Sequence, residues 1–114
     1  MGLLEISVAA GEVGPVLTLS GEADLTTVAE LTDVLSAQLA AGARHLTADL
    51  SRLRFADSAV IRELVLVDRR LKDRGGRLVL AHPQPMVARA LSLLGVDQAI
   101  EVRDELSAGA DPDR

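Results

Sequence analysis

Along the first hundred residues the apolar positions keep changing period, and the period assigns the elements. Leu4, Ile6 and Val8 alternate with Glu5, Ser7 and Ala9, the pattern of a half-buried strand. Val16–Ser20 reads as a second strand after a turn at Gly11–Pro15, with Gly21 expected to end it. From Thr27 the period lengthens: Val28, Leu31, Leu35 and Leu39 fall on one helical face, with Glu30, Asp33 and Gln38 elsewhere. Thr27 followed three residues later by Glu30 has the form of a capping box, and Gly42 stands where a helix through about Ala41 would stop. His45–Leu50 is a third strand, and the intervening helix makes its connection a crossover rather than a hairpin. Ser51–Ala56 follows. A second helical face, Ile61, Leu64, Val67 and Leu71, then begins after Ser58 and stops at Gly75-Gly76. Arg77–His82 reads as a buried fourth strand. Pro83 and Pro85 open a third helix with Val87, Ala88, Leu91 and Leu94 inside, Gly95-Val96 closes it, and Ala99–Val102 is a short last strand.

This order, β-β-α-β-α-β-α-β, predicts an α/β fold: a mixed central sheet of about five strands with three to four helices. A chain of 114 residues has room for one such core. Residues 1–103 are assigned to that domain. From Asp104 onward Leu106 is the only large apolar residue, so 104–114 is expected to be a frayed tail.

Composition narrows the function. Phe55 is the only aromatic residue, so the core is aliphatic. A net charge of −5 works against a nucleic-acid partner, whose phosphates need Lys and Arg. There is no cysteine for a disulfide, thiolate nucleophile or Cys-ligated metal. The apolar runs are too short for membrane insertion, and Met1–Glu5 lacks the basic start of a signal peptide, so a cytoplasmic location is expected.

Catalytic signatures are missing: no G-x-G-x-x-G, P-loop or G-x-S-x-G occurs. His45 and His82 each stand alone at a strand edge. Asp24, Asp49 and Asp57 lie near strand ends, where they read either as caps and turn residues or as acids that could gather around Mg2+; capping is the commoner use. No catalytic residue, metal site or cofactor is therefore expected.

Three stretches carry more information together than singly: Gly21-Glu22-Ala23-Asp24, Ala48-Asp49-Leu50-Ser51 and Phe55-Ala56-Asp57-Ser58-Ala59. In their order and spacing the chain resembles the STAS domain family, and within it the bacterial anti-sigma factor antagonists, from about Leu4 to Val102. The resemblance implies a binding protein rather than an enzyme. Its partner would be an anti-sigma factor that is also a serine kinase; the unphosphorylated antagonist binds that factor and so releases a sigma factor. It also implies that Ser58 is the phosphoacceptor. The partner face would comprise Glu22, Asp24, Asp57, Ser58, Ala59, Val60 and Arg62.

Elementary chemistry agrees with this use of Ser58. A serine at a helix start is expected to be an N-cap worth about 1 kcal/mol. A phosphate there adds about −1.5 to −2 charges beside the positive helix end, which tolerates it. Modification is thus expected to change the surface and leave the fold intact. Two positions depart from the family pattern: Val60 stands where a glycine is usual, and Ala23 where a larger aliphatic is preferred. A branched side chain at Val60 would crowd a kinase approaching Ser58. The alternative reading is a STAS accessory subunit of a membrane transport system, never phosphorylated, because STAS domains also occur in lipid and anion transport. Homodimerisation is left open by the sequence.

Overall fold

The computed structural model describes residues 3–104. Leu4–Ala9 (β1) folds back antiparallel on Val16–Ala23 (β2), with Leu4 opposite Gly21 and Ala9 opposite Val16. Val28–Ala40 (α1) crosses over to His45–Ala56 (β3), and Ser58–Asp73 (α2) to Arg77–Ala81 (β4). Pro85–Leu93 (α3) and a 3-10 turn at Val96–Gln98 lead to Glu101–Arg103 (β5). Strand order is β1-β2-β3-β4-β5, and every neighbouring pair after the first is parallel. This is the predicted mixed sheet of five strands with three helices.

One face of the sheet carries the core. Leu17, Leu19, Leu46, Ala48, Leu50, Leu78 and Leu80 share it, all buried, against Leu31, Leu35, Leu64, Leu71, Val87 and Leu91 of the helices. The opposite face carries Thr18, Ser20, Thr47 and Asp49, which remain half exposed; there only Val79 and Ala81 are buried. Parallel sheets usually have helices on both faces, so this two-layer arrangement accounts for the clean period-2 alternation that made the strands readable. Asp68 is the buried charge of the core side. It accepts the Leu78 N–H (3.0 Å) and pairs with Lys72 (2.9 Å), whose Nζ also donates to the Ala99 carbonyl (2.7 Å). Side chains of α2 thereby pin the starts of β4 and the last turn. Among the described residues no helix is long and apolar enough to cross a membrane.

Several boundaries differ from expectation. β2 does not stop at Gly21 but runs through it to Ala23. Gly21 adopts φ +106° beside a register shift against the strand that begins at His45, and a side chain there would collide with the Leu3 carbonyl oxygen. β3 does not stop at Leu50 but continues to Ala56, taking in an extra residue at each of two register shifts against β2. The capping box is not formed: Thr27 is the N-cap of α1 without any side-chain bond to the helix. Its hydroxyl is buried and turned backwards, accepting the Asp24 N–H at 2.9 Å. The 3-10 turn takes Val96–Gln98, so the last strand begins at Glu101 rather than Ala99. The expected tail lies, from residue 105 on, outside the described residues.

Candidate functional site

β2 and β3 end together, Ala23 beside Ala56, so the segments that follow them meet at one corner of the sheet. Asp57 organises that corner. Its N–H donates to the Ala23 carbonyl (3.1 Å), and its Oδ1 accepts the N–H groups of Ala59 (3.1 Å) and Val60 (3.2 Å). Its Oδ2 accepts the N–H of Leu25 (2.9 Å) in the loop between β2 and α1. One carboxylate thus caps α2 and ties the neighbouring loop to it.

The expected cap at Ser58 is therefore corrected: Asp57 is the N-cap, and Ser58 is the first helical residue. Asp57 follows β3 directly with an extended backbone, the geometry an N-cap requires, and its two oxygens serve two directions at once. Ser58 is exposed, and its hydroxyl makes no hydrogen bond to the described residues.

Asp24 shapes the adjoining loop. Its Oδ1 accepts the Thr26 hydroxyl (2.6 Å) and the Thr26 N–H (2.9 Å), a side-chain turn that replaces a backbone one. The Thr26 hydroxyl, first among these donors, holds the Asp24 carboxyl below the usual aspartate range. Glu22 lies in β2 and approaches Arg54 of β3 at 3.6 Å, both side chains well exposed. Ala59 is half buried, and Arg62 is exposed one turn further along α2. Ser58 and Arg62 border a groove of about 710 Å³ whose walls include Val28, Ile61, Leu94 and Val96.

Glu22, Asp24, Asp57, Ser58, Ala59 and Arg62 are thus brought to one end of the molecule. Val60 is not a surface residue: it is wholly buried in the core cluster. It faces away from anything that approaches Ser58, so the expected crowding of a kinase by its side chain does not arise. Asp49 stands apart as well. It sits opposite Thr18, five residues of β2 before Ala23 and so about 17 Å along the sheet from the corner, and accepts the Ser51 N–H at 3.0 Å. The three aspartates considered as a metal cluster do not gather, and among the described residues no group of three His, Cys, Asp or Glu is placed to hold a metal ion.

Two exposed apolar residues at the corner were not among the residues the sequence assigned to the partner face. Leu25 is 72% exposed and Phe55 42% exposed, one following Asp24 and the other preceding Ala56. Both left a signal: an isolated leucine inside a polar loop, and the only aromatic of the chain placed in a strand that otherwise buries aliphatics.

The family model described as "Mlab, STAS domain" matches residues 6–106, nearly the whole chain. The chain belongs to the STAS-domain family. A relative from Bordetella bronchiseptica, BtrV, provisionally named an anti-sigma factor antagonist, is 30% identical over 92 residues, 81% of this chain and 79% of that protein. Among solved STAS structures, an anti-sigma factor antagonist from Mycobacterium paratuberculosis superposes with a TM-score of 0.83 at 24% identity, covering 91% of this chain and 88% of that one. The Bacillus cell fate determinant SpoIIAA in its phosphorylated form gives a TM-score of 0.67 at 22% identity, covering 88% and 90%. At these identities the two structures establish a shared STAS fold.

Proposed function

We propose that the chain is an anti-sigma factor antagonist that works by partner switching, with Ser58 as the group that is modified. The observation that carries this reading is the division of labour at the corner: Asp57 holds the helix, which leaves the Ser58 hydroxyl free of structural duty. Phosphorylation of Ser58 then costs the helix no cap, and the added anion sits at the positive helix end. What it alters is the outer surface. There the phosphate joins the carboxylates of Asp24 and Asp57, and a partner fitted to a small neutral hydroxyl meets bulk and negative charge. The name given to BtrV supports the same reading. In it the chain is a binding partner and a kinase substrate, not a catalyst.

The test mixes the purified chain with candidate ATP-binding anti-sigma factors. A stable complex with one of them, one phosphate added at Ser58 in the presence of ATP, and loss of the complex with Ser58→Asp are the expected results. Constitutive co-purification with a transporter subunit, indifferent to Ser58→Asp, would replace this reading with that of a transport accessory protein.

A further inference from the structure

The two edges of the sheet are built differently. β5 is three residues long, and its Glu101 is engaged by Arg77 of β4 (3.0 Å) and by Arg103 (2.6 Å), so charge guards that edge. β1 is six residues long, without proline, lysine or a register shift, and Glu5 is its one charge. Its far side meets no strand among the described residues.

The orientation of its free groups follows from one bond. The Leu3 carbonyl accepts the Glu22 N–H at 2.9 Å and so points toward β2. Along a regular strand the groups alternate, so the N–H and C=O of Leu4, Ile6 and Val8 point outward, away from the sheet. Those same three side chains lie on the helix-facing side, with Val8 45% exposed.

We infer that β1 pairs with β1 of a second copy of this chain, antiparallel about a two-fold axis at Ile6. That register sets Ile6 opposite Ile6, Leu4 opposite Val8, and Glu5 opposite Ser7 of the other copy. It uses all the outward groups and makes one continuous apolar row on the helix side. The neighbouring register, centred on Glu5, sets two carboxylates face to face and is disfavoured. The contact is isologous, so assembly closes at two subunits and forms a ten-stranded sheet rather than a filament. The interface is small by the standard of stable complexes, so the dimer is expected at micromolar concentrations and above. Leu4, beside Gly21, lies at the end of β1 nearest the Ser58 corner. The two-fold axis therefore directs the two corners to opposite ends, and both stay open.

The experiment is sedimentation velocity from low micromolar to near-millimolar protein. The average mass is expected to climb toward twice the 12.0 kDa of the chain. Val8→Pro removes one outward N–H and leaves the β1–β2 bonds in place, so it is expected to stay monomeric with an unchanged circular dichroism spectrum. Because the chain has no cysteine, Glu5→Cys combined with Ser7→Cys reads the register directly. Mild oxidation is expected to give a reducible covalent dimer with position 5 joined to position 7 of the other copy. A mass that stays monomeric throughout, a dimer indifferent to Val8→Pro, or oxidation that yields no such link overturns the inference.

Discussion

Asp57 Oδ2 accepts the backbone N–H of Leu25 at 2.9 Å, across 32 positions of sequence. Through this bond the cap of α2 also fixes the loop that follows β2, so the proposed partner face is one unit rather than two loops.

Asp57→Ala removes both the cap and this tie. Unfolding in urea is expected to show a loss of about 1–2 kcal/mol, the sum of an N-cap and an exposed hydrogen bond. Asp57→Asn keeps an oxygen for Ala59 and Val60 but turns an amide toward the Leu25 N–H. About 1 kcal/mol should be lost there.

Val60→Gly installs the residue usual in the family. Since Val60 is wholly buried in the first turn of α2, the change opens a cavity and weakens the helix. A destabilisation of about 2–4 kcal/mol is expected in the same assay. Phosphorylation kinetics at Ser58 should not improve in return; faster phosphorylation at unchanged stability would contradict the buried placement.

Further along α2, Asp68→Ala leaves the buried Leu78 N–H without its acceptor, while the half-exposed Lys72 ammonium is taken up by water. A loss of about 1–3 kcal/mol is expected, measurable as a fall in Tm. Lys72→Met should cost at least as much, because it leaves the buried Asp68 carboxylate without its cation.

Asp24 offers a pH test. Its carboxyl is held below the ordinary value of about 3.9 by the Thr26 hydroxyl first of all. A depressed folded-state value means that the stabilising contribution is complete above the unfolded value and is lost as pH falls through the folded one. Between about pH 5 and 8 it is therefore constant. An NMR titration of the Asp24 carboxyl carbon is expected to find a midpoint below that of a free aspartate. Thr26→Val should move the midpoint back up.

Much of this architecture was legible because burial is one-sided. Leu4 and Ile6, Leu17 and Leu19, and Leu46, Ala48 and Leu50 alternate with half-exposed or exposed residues, and the helices show single apolar faces. The second half of β3 was not legible. Its two register shifts move Leu53 and Ala56 out of step with the residues before them, so the period that defines a strand is lost although the pairing continues. Asp57 and Ser58 are both good caps, and the choice between them depends on where β3 ends, which is a tertiary fact. Val60 could have been placed correctly. With Leu64, Val67 and Leu71 it keeps the spacing of a buried helical stripe, and only comparison with a glycine at that position drew it toward the surface.

The unequal length of the central strands has a consequence for motion. β4 pairs with β3 only from His45 to Asp49, while Arg52 to Ala56 are held by β2 alone. The corner is therefore carried on the β1-β2-β3 side of the sheet, beyond the reach of β4. Amide hydrogens near Leu46 and Ala48 should exchange only with global unfolding, whereas those of Arg54 to Ala56 should exchange through a cheaper local opening. A partner could then reshape the end that carries Ser58 without disturbing the leucine layer beneath it.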